Sequence, residues 1–413
     1  MDKVGCDLSA LNGLRVIEVS DQFTAVGGRM LAELGADVIV VEPLSGSPQR
    51  QRPPFARDVP GPNSSLRWWA GNVGKRAVSL DLADPAAVDS LWALVRTADI
   101  VIAGDRDLVD GAIGYTRAIA EHPELVWVAV TAFGLHSSRS DQPVTDLTVL
   151  SGGGPVWSCG YDDHSIPPIR GAGDQSVNLA GLYSVIGALV AIAHRDQTGE
   201  GQLVDVNVNA ACNVSSEHTT QHWLIGEQTC LRQTGRHASI YKSSPVQIRC
   251  ADGVFATTGV LPRKPEDFAD LYAWLTELDL VEQLPEAIFL QMAADRDAPL
   301  DLAKIGVDDE TTATMAAARD AVTLIASRMP AKQFFIESQQ RGFPAGVILS
   351  PDEAFEDPHN IERGCQIEIA YPETQSAFRY PGAPYIFSET PASPLRRAPH
   401  LGEHNALLDE LSG

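Results

Sequence analysis

The sequence predicts an α/β protein built on a parallel sheet. Three observations predict it. Short runs rich in Val and Ile recur through the first 135 residues, helical segments lie between them, and 44% of the 413 residues are hydrophobic against 21% charged. Strands that are buried on both faces by crossover helices have this near-continuous apolar character. The length allows two domains, each with its own core.

The strands are predicted from five apolar runs. They are LRVIEV at 14–19, ADVIVVEP at 36–43, RAVSLDL at 76–82, DIVIAG at 99–104 and LVWVAVTAFG at 125–134. Two crossover helices are well marked. Residues 27–35 end at a glycine, and residues 85–98 begin with Pro85 after Asp84, a favourable capping residue. The alternation predicts a doubly wound sheet.

The second half of the chain suggests further units. Residues 177–195 are apolar nearly all round, which predicts a buried helix, and QLVDVNVNAA then predicts a strand. A separate pattern begins at Ala251. We therefore expect a large Rossmann-like domain whose N-terminal part is 1–215, a linker at 216–250, a small α/β domain at 251–341, and a Pro-rich segment at 342–413 that returns to the large domain.

Charge and motif content exclude several classes of protein. A net charge of −23 argues against a nucleic-acid partner. The six cysteines have neither a disulfide nor a zinc spacing, and HExxH is absent, so no metal is expected. With no apolar leader and no membrane-spanning run free of charge, we expect a cytoplasmic protein without a membrane partner.

A dinucleotide-binding signature and a hydrolase signature are also missing. TAVGGRML at 24–31 follows the first strand, but it is not the GxGxxG that lets a backbone approach a dinucleotide pyrophosphate, so NAD is not expected. No serine lies in a GxSxG turn, which argues against an α/β-hydrolase.

Basic residues cluster in the first third of this acidic chain. Arg50, Arg52 and Arg57 follow the second strand, and Lys75 and Arg76 lie where the third begins. Loops at strand ends are where an open α/β sheet usually binds its ligand. The cluster is either an anion-binding site or a solvated loop.

The stretch RGAGDQSVNLAG, residues 170–181, delivers one acidic side chain to the start of the long apolar helix. One interpretation is that Asp174 is a helix cap worth about 1 kcal/mol. The other is that it is a nucleophile, because the neighbouring Gly-Ala-Gly leaves space beside the carboxylate and an apolar setting raises its reactivity. The residues alone leave both open.

Several stretches together resemble the class III CoA-transferase family, which includes formyl-CoA and carnitine CoA-transferases and the α-methylacyl-CoA racemases. They are LNGLRVIEVS, LAELGADVIVVEP, NVGKRAVSLDLADP, AFGLHSSRSDQPVTDLTVLSGG, GDQSVNLAGLYSVIGALVAIAHRDQTGEGQLVDVNV, FPAGVILSPDEAFEDPHNIERG and RRAPHLGEH. The family resemblance implies a Rossmann-like large domain, a small domain, and an interlocked, ring-like homodimer.

The resemblance further implies that Asp174 attacks an acyl-CoA thioester, passes through a mixed anhydride and an aspartyl-CoA thioester, and hands CoA to an organic acid. Coenzyme A would then be the only cofactor, present as the acyl-CoA substrate. The candidates for binding its phosphates are Arg50, Lys75, Arg76 and Arg106. Gln22 is expected near the thioester.

Two alternatives remain. The racemase branch of the family carries a His directly before the Asp of the motif TDLTVLSGG. This chain has Thr145 before Asp146, and threonine cannot exchange protons near neutral pH. The second alternative is a non-catalytic acyl-CoA-binding protein of the same fold, favoured by departures from the family pattern in the loops on the expected CoA path.

Overall fold

The computed structural model describes residues 9–104, 114–241, 245–258, 262–301, 304–392 and 395–412. Within these ranges the chain forms two compact units. The first comprises the described residues of Met1–Cys159, Pro167–Gln228 and Pro358–Gly413, and the second those of Gly160–Ile166 and Thr229–Asp357.

The first unit contains a six-stranded parallel sheet in the order β3-β2-β1-β4-β5-β6. Its strands are β1 (Arg15–Val19), β2 (Asp37–Glu42), β3 (Arg76–Ser79), β4 (Ile100–Ala103), β5 (Val126–Thr131) and β6 (Leu203–Asn207). This is the doubly wound strand order of Rossmann-like folds. The predicted parallel α/β sheet is confirmed.

Helices lie between these strands and after the last of them. They are α1 (Ala25–Glu33), α2 (Leu66–Asn72), α3 (Pro85–Val95), α4 (Tyr115–Glu121), α5 (Asp146–Gly153), α6 (Gln175–Thr198), α7 (Val208–Val214) and α8 (Glu217–Gly226). Asp84 caps α3 as predicted, because its carboxylate accepts the N–H of Ala86 at 3.0 Å.

The sheet separates two apolar cores. Val16, Ile100 and Val126 face the core that α6 covers, whereas their neighbours Ile17 and Val101 face the opposite core, which contains α3. Successive strand residues point to opposite faces. Burial on both faces is therefore the reason that these strands are apolar at every position rather than at alternate ones.

Helix α6 differs from its prediction. Ala180, Ala188 and Ala191 pack into the core beside the sheet. On another face of the helix Ile186 and Val190 are 47% and 64% exposed. The helix is long and apolar enough in composition to cross a membrane, yet it is a core helix of this unit with one exposed apolar face. The expectation of burial all round is wrong for that face.

Helices α1 and α6 approach each other closely through glycines. A Cβ on Gly181 of α6 would lie 2.6 Å from Val26 Cγ1 and 2.9 Å from the backbone nitrogen of Gly27, and one on Gly27 would clash with Ser184 Oγ. Gly27, in the stretch TAVGGRML, and Gly181 thus serve helix packing. They hold the N-terminal half of α6 against α1.

The second unit has its own core and a three-stranded antiparallel sheet in the order β11-β10-β9. Its elements are β7 (Leu231–Gln233), β8 (Arg236–Ser239), β9 (Gln247–Arg249), β10 (Phe255–Thr258), α9 (Pro265–Glu277), α10 (Ile288–Ala294), α11 (Asp309–Ala326), α12 (Ala331–Gln340), β11 (Ala345–Val347) and α13 (Pro351–Phe355). Residues 216–250, which the sequence indicates as a linker, include α8 and three of these strands.

The chain then re-enters the first unit with α14 (Pro358–Glu362), the hairpin of β12 (Gln366–Tyr371) and β13 (Ser376–Pro381), and α15 (Ala406–Ser412). His404 covers the outer edge of β3. Its backbone N–H donates to the Ala77 carbonyl at 2.9 Å, and its ring Nδ1 accepts the Ala77 N–H at 3.2 Å. The terminal segment therefore protects an edge of the sheet that would otherwise present unpaired backbone groups.

Candidate active site

Asp174 occupies the capping position of α6 without capping it. Its carbonyl accepts the N–H of Asn178 at 3.2 Å and so begins the helix, but its carboxylate makes no hydrogen bond to the first turn. That role belongs to Asp146, whose Oδ1 accepts the Ser176 N–H at 2.9 Å and the Ser176 hydroxyl at 2.8 Å. The cap interpretation of the Asp174 carboxylate is therefore wrong.

The loop before Asp174 is held by the same carboxylate. Arg170 donates from Nη1 to Asp146 Oδ2. Gly173 has φ of +81°, a conformation that favours glycine, and open space surrounds the position of its missing Cβ. The small residues thus let the chain turn sharply and leave the carboxylate of Asp174 uncovered.

The Asp174 carboxylate pairs with Arg67, the second residue of α2. Arg67 Nη1 donates to Asp174 Oδ2, and Arg67 Nε donates to the Pro53 carbonyl at 3.0 Å. The side chains are 44% and 35% exposed. An ion pair this exposed stabilises a fold by only about 0.2–1 kcal/mol, so its partners exchange easily.

Buried tryptophans orient α2. Ser65 caps the helix, and the indole N–H groups of Trp68 and Trp69 donate to the carbonyls of Pro399 and Asn63 at 3.0 and 2.9 Å. Because these two rings anchor one face of α2 in the core, Arg67 on the other face is presented toward Asp174.

Arg67 and Asp174 line a cavity of about 370 Å³. Its polar lining consists of Gln22, Arg29, Glu33, Gln49, Arg52, Arg67, Asp174 and Asn178. Gln22 lines the same cavity as Asp174, and its predicted place near a thioester stays a prediction. The lining carries three arginines against two carboxylates, a local excess of positive charge in an acidic chain.

Lys75, a predicted phosphate contact, lies inside the protein. Its ammonium donates to Glu18 Oε2 at 2.6 Å, to the Ala25 carbonyl at 2.8 Å and to Asn72 Oδ1 at 2.9 Å. Burial lowers the pKa of Lys75 below its usual value, and the nearby Glu18 opposes that shift. All three ammonium protons are used within the protein, which argues against the predicted contact with CoA.

Arg50 is similarly enclosed. Its Nε and Nη2 donate to the two oxygens of Glu42, each at 2.7 Å, and its remaining donors meet the carbonyls of Pro62 and Pro399 and the side chain of Asn63. The guanidinium also lies over the Trp68 ring. Arg50 therefore fastens the loop after β2 instead of facing a ligand.

The other two predicted phosphate contacts differ from these. Arg76 donates to Asp37 and is partly exposed, and it lines a second cavity of about 700 Å³ with Arg396 and Arg397. Arg106 lies outside the described residues.

Two residues of the site were missed by the sequence reasoning. Arg67 directly precedes Trp68 and Trp69, and nothing in its spacing connects it to Asp174, 107 residues away. Asp146 was considered only as part of a racemase motif. Within the described part of the chain, no group of three or more His, Cys, Asp or Glu side chains has an arrangement suited to a metal ion.

Residues 11–405 of the sequence match one protein-family model, CoA-transferase family III. The chain is 30% identical over 402 residues to succinyl-CoA:(R)-benzylsuccinate CoA-transferase subunit BbsE of Thauera aromatica, which covers 94% of this chain and 91% of the relative. It is 28% identical over 416 residues to succinyl-CoA:mesaconate CoA-transferase of Haloarcula hispanica, covering 98% and 96%.

A similar fold is present in a solved structure. A CAIB/BAIF family protein from Brucella suis superposes with a TM-score of 0.78 at 24% sequence identity, covering 98% of this chain and 99% of the other.

Proposed function

This chain belongs to CoA-transferase family III, and from that membership we propose that Asp174 is the nucleophile that accepts the acyl group and then CoA. The protein is an enzyme that moves CoA from an acyl-CoA donor to a carboxylic acid. The assignment of Asp174 rests on one observation. Its carboxylate does not cap α6 but lines a cavity, while Asp146 accepts the capping hydrogen bonds of the helix.

The reaction divides into four exchanges at one carboxylate. An Asp174 oxygen bonds to the acyl carbon, the C–S bond breaks, and its electron pair leaves on the CoA sulfur. The thiolate adds to the Asp174 γ-carbon and expels the donor acid as a carboxylate. The acceptor carboxylate then displaces CoA from the aspartyl thioester. Finally the thiolate attacks the acceptor acyl carbon and frees Asp174. Each step exchanges groups of similar energy, which lowers the overall barrier.

Gln22 is proposed to contact the thioester carbonyl, which its place in the Asp174 cavity supports. Arg76 remains our candidate for a CoA phosphate, because it is partly exposed beside Arg396 and Arg397. Arg106 remains a prediction.

The substrates are proposed to be dicarboxylic. The two relatives described above are named for succinyl-CoA with benzylsuccinate or mesaconate, acids that carry two carboxylates. The excess positive charge around the cavity supports the same class for this chain. We propose a cytoplasmic homodimer, and the exposed apolar face of α6 supports dimerisation.

Racemase chemistry is the weaker proposal. Thr145 and Thr148 form the capping box of α5, in which each side chain accepts the backbone N–H of the other, and Asp146 is held by Ser176 and Arg170. No second acid–base group therefore stands ready at this position for a proton transfer on the opposite face of an α-carbon. A binding protein without activity would not need an Asp174 carboxylate that is left out of helix capping.

An Asp174→Asn variant tests the nucleophile. We expect turnover to fall by about 10³-fold or more, since an amide cannot form the anhydride, with folding unchanged because the side chain makes no cap. The measurement is mass spectrometry after incubation with a panel of acyl-CoAs and trapping with hydroxylamine. Wild type should carry a hydroxamate or a CoA adduct on the peptide containing Asp174.

The matched control is Asp196→Asn, an exposed carboxylate at the far end of the same helix, which should react as wild type does. Full turnover by Asp174→Asn would rule out the nucleophile. Absence of an adduct from wild type, with CoA still bound, would favour the binding protein. Deuterium incorporation at the α-carbon of a 2-methylacyl-CoA would favour the racemase.

A further inference from the structure

We infer that Arg67 recognises the second carboxylate of a dicarboxylic substrate and, by leaving Asp174 to do so, releases the nucleophile for attack. The inference rests on the proposed function of Asp174 and assigns a specificity-determining residue to the same cavity. Among the residues that the structure describes, Arg67 is the only hydrogen-bond and ion-pair partner of the Asp174 carboxylate.

The contacts of Arg67 leave it able to change partner. A guanidinium has five N–H donors, and the hydrogen bonds of the Arg67 side chain go to Pro53 and Asp174. The bond to the Pro53 carbonyl can persist while Nη1 turns to another anion. Solvent reaches both members of the Arg67–Asp174 pair, in contrast to the fully buried Lys75–Glu18 pair. Exchange with a substrate carboxylate therefore requires no unfolding.

The rest of the cavity favours an anionic guest. Arg29 is committed to Glu33 at 2.8 Å and to the carbonyls of Ala70 and Pro381. Arg52 lines the cavity, and its side chain has no hydrogen bond among the described residues. Since Glu33 and Asp174 balance Arg29 and Arg67, the charge of Arg52 is left over. A ligand that brings one further negative charge neutralises the cavity.

The Arg67–Asp174 ion pair also explains how recognition of the substrate carboxylate would change the rate of acyl transfer. While Arg67 holds Asp174, the carboxylate shares its lone pairs with a cation and is a weaker nucleophile. A substrate carboxylate competes for the guanidinium and leaves the Asp174 oxygen available to the thioester carbon. A monocarboxylic acyl chain presents a methyl group there, so Arg67 stays on Asp174. Discrimination then appears in the rate of acyl transfer as well as in binding.

The test compares succinyl-CoA with butyryl-CoA, which share a four-carbon acyl chain and differ in the distal carboxylate. Rapid quenching and intact-protein mass spectrometry give the rate at which each forms the covalent adduct on the enzyme. We expect wild type to prefer succinyl-CoA by about 10- to 100-fold, the range for a hydrogen bond to a charged group. In Arg67→Ala that ratio should fall to near one, with butyryl-CoA reacting at least as fast as in wild type.

Arg67→Gln, which keeps length and polarity without charge, gives the same test if the alanine variant folds poorly, and its ratio should also fall to near one. Arg96→Ala is the control, because it removes an arginine from an exposed ion pair with Glu121 on the same unit, and its ratio should match wild type.

The outcomes separate this inference from the proposed function. If wild type forms the adduct and the Arg67 variants keep its preference, Arg67 does not read the carboxylate, although Asp174 remains the nucleophile. An equal loss with both thioesters would make Arg67 a structural residue and also overturn the inference. If wild type forms no adduct with either thioester, the proposed role of Asp174 fails, and the role of Arg67 fails with it.

Discussion

Individual charged residues of this chain differ in function according to partners that lie far away in sequence. Lys75 and Arg50 are candidates for anion binding in the sequence because they are basic and lie beside strands. In the structure each faces a buried carboxylate, Glu18 or Glu42, that a sequence cannot link to it. Arg67, which attracted no attention, contacts the proposed nucleophile.

A Lys75→Met variant should be strongly destabilised. It leaves the Glu18 carboxylate buried without its cation, which costs about 3–5 kcal/mol of unfolding free energy. Chemical denaturation measures this, and Arg96→Ala, from an exposed ion pair, should cost less than about 1 kcal/mol. A Lys75→Met protein that is as stable as wild type but binds CoA tenfold more weakly would restore the predicted phosphate contact.

For single residues, therefore, the sequence predicts the type of chemistry but not the network of hydrogen bonds and ion pairs. The sequence allows two roles for Asp174, helix cap or nucleophile, because it stands at the start of a long helix after small residues. Excluding the cap needed the position of Asp146, which reaches Ser176 from another helix 30 residues earlier in the chain, whereas the nucleophile stays a proposal.

Secondary-structure elements were predicted well wherever they are buried on both faces. Strands β1, β2 and β4 are runs of Val and Ile with no polar alternation, which a helix covering only one face of the sheet would not produce. Helix α6 shows the limit of such reasoning. An apolar surface all round predicts burial, but the sequence cannot state what covers each face.

The contact between α1 and α6 provides a prediction for elements. Gly181→Ala should destabilise the first unit by about 1–3 kcal/mol, because the added methyl group meets Val26 and the Gly27 backbone at 2.6 and 2.9 Å. Thermal or chemical denaturation checks it. We also expect slower turnover, since the shift moves the end of α6 that carries Asp174.

Gly226→Ala is the matched control for Gly181→Ala. It lies at the exposed end of α8, where a Cβ makes only ordinary contacts, the nearest at 3.5 Å, so it should be neutral or slightly stabilising. If the two substitutions have equal effects, the close approach of α1 and α6 does not depend on Gly181.

On the scale of the whole molecule, the exposed apolar face of α6 is the feature that a single chain leaves unexplained. Leu182, Ile186 and Val190 follow one another at helical spacing and are each at least 42% exposed. Surfaces of this kind usually mark an interface. The changes in sequence pattern predict two domains, whereas assembly depends on surfaces that composition does not reveal.

Sedimentation should therefore show a particle with twice the 44.3 kDa mass of the chain. Ile186→Arg should dissociate it, because a charge in an apolar interface loses its hydration without gaining a partner. Gln197→Arg, an exposed position on the same helix, is the control and should leave the mass unchanged. A wild-type monomer with full turnover would contradict the homodimer.

The capping of α6 by Asp146 has a consequence for the enzyme in motion. In the proposed catalytic cycle Asp174 changes from an anion to an anhydride, then to a thioester, and back, so its charge disappears and returns. A helix that depended on this charge would loosen every time the intermediate formed. Because Asp146, a separate carboxylate with no role in the proposed reaction, stabilises the first turn, the start of α6 would keep its capping contacts while the proposed covalent intermediates form and break down.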